Sequence, residues 1–577
     1  MQCAAAPPPP PRVGTDTGTG TAPALLKLEA SRVDASAREA LSRPPAWCAD
    51  GAAGLDKLPP ALRGNFRPVA GEAEVAGLRV ARGALPRGLR GAFLRAGPNP
   101  RHEPRFPAEY HLFDGDGLVH WISLDGGSNT ADYGRRYVRT AGLREEEDAG
   151  GALYTGMRNL MPLWDVFPGR IAAKVGRGLQ PDTPWWVVQA KNPSNNAVIY
   201  HAGQLLSTWE AGSAYALAPD RSLAAKLADF GGTAGALDFW RFNFSAHPKA
   251  CPTSGELYFL GYGLVGAPAV HLGVLDAQGR LARRREVPVA RPAMQHDHAL
   301  TDSHVVLLEQ PLVFDFDKTL GGGKPFNFDA HGPVRIGLVP RALSDDEVVW
   351  VELERAFFSY HVLNAFNADD GTVVLFLFCM DETRALGMSD TVGAPAGSGQ
   401  AEVGRLHRLV VDPAARRVVE GPTPWCDEVS DFPCVAPATV GQPSAFGYSV
   451  GYERSFLLVG DEGDEGEAGG SRAPPGDEEV PLFDRLIKHR LADGSSQSMD
   501  IGEGRVCGDV VFVPDSERQR EEDGGWLLAL AHGGEGFEGD AALLVVDAQS
   551  MRLCAEVEVP CRVPFGFHAS WAPVPEW

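Results

Sequence analysis

Four of the chain's fifteen histidines stand in sequence contexts unlike those of the other histidines. They are His247 in SAHPK, His296 in MQHD, His361 in FFSYHVLNA and His568 in VPFGFH, near the end of the sequence. Neutral imidazole is the commonest metal ligand in proteins, but no H-E-x-x-H spacing ties any two of these residues to one ion. From the residues alone, each is either a buried core histidine or a metal ligand.

Two neighbouring motifs have other interpretations. His298 follows His296 in an H-x-H pattern, which on a strand places the two rings on opposite faces. We therefore expect His298 to be structural or to lie behind a ligand ring. Residues 261–266 (GYGLVG) match G-x-G-x-x-G, but residues 267–270 (APAV) predict loop and strand where a pyrophosphate site needs a helix. The motif predicts a turn.

Many short strands must position these residues. The 67 glycines and 46 prolines lie between short apolar runs from about residue 65 onward, a pattern typical of strands joined by tight turns. So many strands over one long chain favour a β-propeller over two stacked sandwiches. Helical patterns cover residues 153–175 and 222–230, which we interpret as insertions. Residues 460–479 are acidic and Gly-rich and predict a solvated loop.

Composition argues against several functional classes. The net charge of −22 argues against nucleic acid as a partner, because phosphate binding needs clustered Lys and Arg. Nine cysteines without a C-x-x-C pair do not predict a disulfide framework, which favours a reducing compartment. No apolar run approaches the ~18 to 20 residues that a membrane span requires.

Residues 1–63 are interpreted as a low-complexity extension. The first 24 residues are small and polar, and are either a weak plastid transit peptide or a disordered tail. We therefore expect a plastid location, with the cytoplasm as the alternative. Residues 24–42 carry an amphipathic pattern that predicts a helix. Such a helix packs on its own protein or, alternatively, makes a peripheral membrane contact.

Taken in order, the four histidine contexts resemble the ligand segments of the carotenoid cleavage oxygenases. That family includes plant epoxycarotenoid and carotenoid dioxygenases, bacterial apocarotenoid oxygenases, stilbene-cleaving enzymes and the animal retinoid isomerohydrolase. Further family-like segments are interleaved in the expected order, namely residues 64–69 (GNFRPV), 91–100 (GAFLRAGPNP), 110–120 (YHLFDGDGLVH), 335–341 (RIGLVPR) and 483–488 (FDRLIK). The resemblance runs from about residue 64 to the C-terminus.

This resemblance implies a fold and a metal. The fold is an all-β, seven-bladed β-propeller over residues 64–577, with helical insertions forming a cap over its top face. The implied ligands of one Fe²⁺ per chain enter the centre from different blades, and they are His247, His296, His361 and His568. Four neutral imidazoles leave the ion its full +2 charge, with open positions for O₂ or substrate.

The resemblance also implies a reaction. O₂ adds across a C=C bond of a carotenoid or apocarotenoid, and the bond breaks to give two carbonyl products. The conjugated polyene is itself the reductant, so no nicotinamide or flavin is needed. The implied partners are an apolar polyene and O₂, with no nucleic acid, and we expect the chain to be a monomer.

Carboxylates behind the ligands complete the implied site. Glu210 in LSTWEAG matches a family residue that orients a ligand imidazole. Two further family positions hold Glu, whereas this chain has Asp431 before Phe-Pro and Asp509 before VVFVP. Each aspartate reaches roughly 1.5 Å less far, so backbone adjustment or a bridging water is expected. Tyr360 and Phe567 flank two ligands and are expected to line an apolar substrate tunnel.

Three alternatives stay open at this point. The first is cleavage of a stilbene or phenylpropanoid, which the same family performs. The second is polyene isomerisation or ester hydrolysis, as in the animal branch, although residues 563–569 (VPFGFHA) resemble the dioxygenase branch more closely. The third is a non-catalytic propeller that binds apocarotenoid, and only the two aspartate replacements favour it.

Overall fold

A computed structural model describes residues 25–49, 58–156, 190–230, 243–320, 323–383, 389–392, 404–452, 482–534 and 538–573. Strands dominate these residues. The first seventeen are β1 Leu26–Glu29, β2 Ala73–Ala76, β3 Val80–Gly83, β4 Arg90–Pro98, β5 Gly117–Asp125, β6 Thr130–Tyr137, β7 Ala197–His201, β8 Gln204–Thr208, β9 Tyr215–Leu217, β10 Ala225–Leu227, β11 Lys249–Ala250, β12 Leu257–Gly263, β13 Ala269–Leu275, β14 Leu281–Pro288, β15 Ala299–Leu300, β16 His304–Glu309 and β17 Leu312–Phe314. The remaining sixteen are β18 Phe326–Asp329, β19 Val334–Pro340, β20 Val349–Leu353, β21 Val362–Asn367, β22 Val373–Cys379, β23 Ser389–Val392, β24 Arg405–Asp412, β25 Arg417–Cys434, β26 Phe446–Gly451, β27 Arg485–Arg490, β28 Ser496–Asp500, β29 Val506–Pro514, β30 Gly525–His532, β31 Ala541–Asp547, β32 Arg552–Val559 and β33 Ala569–Ala572.

Helices are few in this part of the chain. The α-helices are α1 Ala35–Ser42, α2 Ala141–Ala149 and α3 Phe316–Leu320. Single 3-10 turns occur at Ala30–Arg32, Ala46–Cys48, Pro60–Leu62, Gly64–Phe66, Pro107–Glu109, Leu112–Asp114 and Pro437–Thr439. Asp34 and Thr140 begin α1 and α2 by accepting a hydrogen bond from a backbone N–H of the first turn. No helix of the described residues is long and apolar enough to cross a bilayer.

The strands form seven sheets among the described residues. Their orders are β1-β2-β6-β5-β4-β33, β10-β9-β8-β7, β11-β12-β13-β14, β15-β16-β19-β20, β17-β18-β23, β21-β22-β24-β25-β26-β27-β28 and β29-β30-β31-β32-β3. Most neighbours are antiparallel and consecutive in the chain, as short turns require. The prediction of a mostly β fold is therefore confirmed.

Burial follows position in these sheets. Strand β22 is buried at every residue (VVLFLFC) because it lies between β21 and β24 and is covered on both faces. Strand β28 (SQSMD) lies at the edge of the same sheet and is mostly exposed. In this sheet the apolar run of β22 marks a central strand, and the polar run of β28 marks an edge.

Both ends of the described chain join the same two sheets. The C-terminal β33 pairs with β4, and the N-terminal β3 pairs with β32. One hydrophobic cluster contains buried residues from both ends, including Leu41, Leu89 and Val557. The position of the last strand, and of His568 just before it, is therefore fixed by residues more than 400 positions earlier in the chain.

The helix predicted for residues 24–42 is only partly correct. Residues Leu26–Glu29 form β1 and pair in parallel with β2, whereas the helix is confined to Ala35–Ser42. Alternating apolar residues at 26 and 28 suit a strand, and Asp34 then caps the helix. Leu41 is fully buried, so this segment packs on the body of the protein.

Two further local predictions have clear outcomes. The helix predicted for residues 222–230 is wrong, because Ala225–Leu227 form β10 and pair with β9; tertiary pairing overrides the weak helical pattern. The turn predicted within GYGLVG is confirmed, since β12 and β13 are antiparallel and Gly263 lies opposite Ala269. Residues 157–175 and 460–479 lie outside the described residues, while residues 153–156 are not helical.

The buried contact of α1 predicts a stability change. Leu41→Ala should lower the free energy of unfolding by about 2 to 5 kcal/mol, because it removes a fully buried side chain from a packed cluster. Urea unfolding measures this. Leu25→Ala is the matched control, since Leu25 is 36% exposed, and it should cost less than about 0.5 kcal/mol. Equal stability of the two variants would mean that α1 does not belong to the core.

Candidate metal centre

The four candidate histidines all lie just before edge strands. His247 precedes β11, His296 precedes β15, His361 precedes β21 and His568 precedes β33. Each of these strands stands at the end of the strand order of a different sheet. Four sheet edges therefore meet at one place, and each delivers one imidazole from the residues that lead into it.

The four rings form one compact cluster. One nitrogen from each ring lies within 4.8 Å of the corresponding nitrogens of the others. The Nε2 atoms of His247 and His296 are 3.1 Å apart. Ring centroids are 4.1 Å apart for His247 and His568, and 5.2 Å apart for His296 and His361. His361 is buried and the other three are partly buried.

Three carboxylates contact the outer nitrogens of this cluster. The Nδ1 of His296 lies 2.7 Å from Glu210 Oε2, and that of His361 lies 2.7 Å from Asp431 Oδ1. The Nδ1 of His568 lies 3.3 Å from Asp509 Oδ2. A neutral imidazole that donates its Nδ1–H to a carboxylate directs the lone pair of Nε2 away from it. In all three rings that direction is toward the centre of the cluster.

The two aspartates reach the rings through backbone irregularities. The register of β25 against β26 shifts after Asp431, and Phe432 has a left-handed φ of 52°. The register of β29 against β30 shifts between Cys507 and Val510, around Asp509. Bulges redirect side chains at such points, and here both carboxylates come within hydrogen-bonding distance of an imidazole although aspartate is one methylene shorter than glutamate.

Backbone donors hold the same aspartates in place. The N–H of Phe432 donates to Asp431 Oδ1 at 2.8 Å, and the N–H of Ala569 donates to Asp509 Oδ2 at 2.9 Å. Asp509 thus binds both the ring of His568 and the backbone of the following residue. Neither contact requires a bridging water.

Two contacts near the cluster were missed from the sequence. The hydroxyl of Tyr262 donates to Oε1 of Glu210, the carboxylate behind His296. Burial, followed by the charge of Glu210, raises the pKa of Tyr262, so the phenol keeps the proton that it donates. In the sequence, Tyr262 is one residue of a Gly-rich turn motif, and no local pattern distinguished it.

Asp297 is the second missed contact. Its carboxylate pairs with Lys249 at 2.8 Å and accepts hydrogen bonds from the N–H groups of His298 and Val362. It therefore ties together the segments that carry His247, His296 and His361. His298 itself is buried outside the four-ring cluster, and burial lowers its pKa to about 3, so it is neutral.

Burial favours the neutral form of two of the rings, those of His247 and His568, whereas the pKa of His296 is shifted the other way. Burial, and then the nearby rings beginning with His568, lower the pKa of His247 well below its usual value. Burial also lowers the pKa of His568, despite the opposing effect of Asp509. For His296, burial acts in the same direction, but Glu210 outweighs it and the pKa is raised. Neutral imidazole is the form that binds a metal ion.

The donor set fits a transition-metal ion. Metal–imidazole bonds are about 2.0 to 2.1 Å long, so nitrogens on opposite sides of an ion are about 4.2 Å apart. A cluster whose nitrogens lie within 4.8 Å needs only a small contraction. In addition, Nε2 of the buried His361 has no hydrogen-bond partner among the described residues. A buried nitrogen lone pair of this kind is costly unless something binds it.

Aromatic side chains lie close to the cluster. The ring of Tyr360 lies 5.5 Å from that of His296, nearly perpendicular to it, and Phe567 packs on Phe113 at 5.3 Å. Phe432, which the sequence did not single out, lies 5.1 Å from His361 and 5.3 Å from His568. Tyr360 and Phe567 are both partly buried.

Comparisons with known proteins agree with this geometry. The family described as "Retinal pigment epithelial membrane protein" matches residues 66–573. The carotenoid 9,10(9',10')-cleavage dioxygenase of Crocus sativus is 31% identical over 526 residues, which cover 88% of each chain. The carotenoid cleavage oxygenase of Mycobacterium tuberculosis is 28% identical over 558 residues, covering 89% of this chain and 97% of the relative.

A solved structure extends the match to three dimensions. The lignostilbene dioxygenase of Pseudomonas brassicacearum matches with a TM-score of 0.72 at 25% identity, covering 90% of this chain and 99% of its own. The resemblance found in the sequence motifs is therefore confirmed along almost the whole chain: the protein belongs to the carotenoid cleavage oxygenase family, the family of the retinal pigment epithelial membrane protein.

Proposed function

We propose that this protein is an Fe(II)-dependent dioxygenase that cleaves a C=C bond of a carotenoid or apocarotenoid into two carbonyl products. One observation carries the proposal: four imidazole nitrogens lie within 4.8 Å of one another, with three of the rings braced by carboxylates. Family membership supports the same activity.

The proposed ligands of one Fe²⁺ per chain are His247, His296, His361 and His568. When bound, the ion would supply the redox chemistry that activates O₂. An all-imidazole donor set carries no negative charge of its own, so the ion keeps its charge and its remaining positions. Other first-row metals also suit imidazole, and the choice of iron rests on the family resemblance.

The reaction needs no further reductant. Both atoms of O₂ end in the products, one in each carbonyl, while the C=C bond of the polyene breaks and supplies the electrons. This balance explains why no nicotinamide or flavin site is required.

The surrounding residues have two proposed roles: they orient the ligand rings, and they exclude water from the substrate passage. Glu210, Asp431 and Asp509 hold the Nδ1–H of three ligands and keep each ring in one tautomer. Tyr262 in turn holds Glu210. Tyr360 and Phe567 are proposed to line an apolar passage for the polyene and to exclude water from it. We propose that the sheets form a seven-bladed propeller over residues 64–577, with the cluster on its axis.

Cleavage of a stilbene is a specific second candidate, because a lignostilbene dioxygenase is among the matching structures. Parallel incubation with β-carotene, a β-apocarotenal and resveratrol separates the two substrates.

A purely binding role loses its support, since both aspartates contact ligand rings. The matching relatives include chloroplast-named plant proteins and bacterial proteins, and we propose the plastid as the location here.

Loss of one ligand should abolish both metal binding and cleavage. Wild-type protein should hold about one iron per chain and convert a polyene to two carbonyl products, each with one atom from ¹⁸O₂. His361→Ala should lose both properties, because an open site with three ligands holds iron weakly. His331→Ala is the control, since His331 is exposed. Elemental analysis measures the iron content, and mass spectrometry measures the ¹⁸O in the products. Full iron content and activity in His361→Ala would contradict the assignment.

Removing the brace behind His296 should weaken the site without unfolding it. Glu210→Gln is expected to lower iron affinity or activity by roughly 10- to 100-fold, the usual penalty for a residue that orients a metal ligand. Tyr262→Phe keeps the carboxylate of Glu210 but removes its hydrogen-bond donor. It should therefore also lower iron affinity or activity, but by a smaller factor. Iron titration and initial rates measure both. Wild-type behaviour of Glu210→Gln would show that Glu210 has no orienting part.

The two aspartates should respond differently to lengthening. Asp431 already lies 2.7 Å from its ring, so Asp431→Glu should force the carboxylate past the imidazole and lower iron affinity. Asp509 lies 3.3 Å away, so Asp509→Glu should preserve or raise the affinity. Competition with a chelator measures the dissociation constant of each variant. The reverse order of affinities would contradict the role assigned to the two bulges.

A further inference from the structure

A cavity of about 360 Å³ lies directly against the histidine cluster. His247, His361 and His568 form part of its wall, whereas His296 does not. The cavity also extends along β7, β29 and β33 to Pro437 and Pro514, which are exposed to solvent. It thus connects the cluster with the outside of the protein.

The wall of this cavity carries charged groups. Asp297 and Asp509 line it together with Lys249. Lys249 is paired with Asp297 at 2.8 Å, so these two charges offset each other. Asp509 remains without a cationic side chain among its hydrogen-bond partners, which are the ring of His568 and the N–H of Ala569. The net charge of the charged lining groups is therefore about −1, with Asp431 and Glu210 close behind the rings.

The aromatic residues assigned to the polyene lie elsewhere. Neither Tyr360 nor Phe567 lines the cavity. Tyr360 packs against an apolar cluster with Tyr262, Met294 and Phe358. A hydrated cation avoids an apolar passage, because losing its water there without polar contacts is costly. The cavity also has apolar wall residues, among them Phe432, Phe512 and Trp571, but the carboxylates of Asp297 and Asp509 offer oxygen contacts beside the histidines.

We propose that this cavity is the route by which the metal ion reaches the four histidines, separate from the apolar passage for the substrate. The inference rests on the proposed metal site. Negative potential at the wall raises the local concentration of a divalent cation. A bound polyene would then leave metal exchange unobstructed.

Val511 is a suitable place to test the route. It lies on β29, lines the cavity and is partly exposed, and it also packs against the hydrophobic cluster that contains Leu41 and Val557. Val511 takes no part in the hydrogen bonds that join the carboxylates to the histidine rings. Val511→Trp should narrow the route, and its matched control is Val419→Trp, because Val419 is 48% exposed on β25 and outside the cavity wall.

The measurement is the rate of Co²⁺ uptake by the full-length apoprotein, followed by the visible absorption of the bound ion. Val511→Trp should slow uptake and chelator-driven release by the same factor, roughly 10-fold or more, and leave the dissociation constant unchanged. A structural disturbance of the ligands would instead change that constant. Val419→Trp should match the wild type.

A charge series keeps the test decisive if the tryptophan variant does not fold. At about 10 mM salt, uptake should be fastest for Val511→Glu, intermediate for Val511→Gln and slowest for Val511→Lys, with differences of roughly 3- to 10-fold. The rates should converge at about 1 M salt, where charges are screened within about 3 Å. Equal rates in all variants at low salt would overturn the route. Failure of wild-type apoprotein to take up any metal would instead refute the proposed metal site.

Discussion

The constraint on which the site depends is the convergence of four imidazoles, with their inner nitrogens within 4.8 Å of one another. Imidazole rings this close together point their lone pairs at one place only if other groups hold them in that orientation. The carboxylates Glu210, Asp431 and Asp509 do so through charge-assisted hydrogen bonds to Nδ1. Three partly buried carboxylates facing one group of imidazoles are themselves costly, and a divalent cation at the centre would offset that cost.

The packing of the sheets sets the geometry of the histidine cluster. Edge strands of four sheets bring one histidine each, so the precision of the cluster depends on how the sheets pack. The two chain ends contribute directly, because β33 joins the sheet of β4 while β3 completes the sheet of β32. Asp297 adds a local tie, since its single carboxylate contacts Lys249, His298 and Val362. Packing far from the cluster therefore affects the positions of the four imidazoles through these strand pairings and through the contacts of Asp297.

The sequence predicted the composition of this site better than its geometry. The four histidines were recognisable by family resemblance, but their spacing of 49, 65 and 207 residues carried no local signal, because sheets converge in space and not along the chain. The aspartates were identified by position, yet only the structure reveals the bulges that bring them to the rings. Tyr262 was missed because its partner Glu210 is 52 residues away. The helix predicted at 222–230 is absent, and Ala225–Leu227 form β10 because pairing with β9 outweighs a short apolar pattern.

In the proposed site, four imidazoles and no carboxylate of the protein bind the iron. X-ray absorption spectroscopy of the iron-loaded protein tests this directly, because imidazole rings give a characteristic outer-shell scattering pattern. We expect about four imidazole nitrogens at about 2.0 to 2.2 Å, with Glu210, Asp431 and Asp509 contributing no oxygen to the inner shell. A spectrum with two or fewer imidazoles, or with a carboxylate of the protein bound to iron, would contradict it.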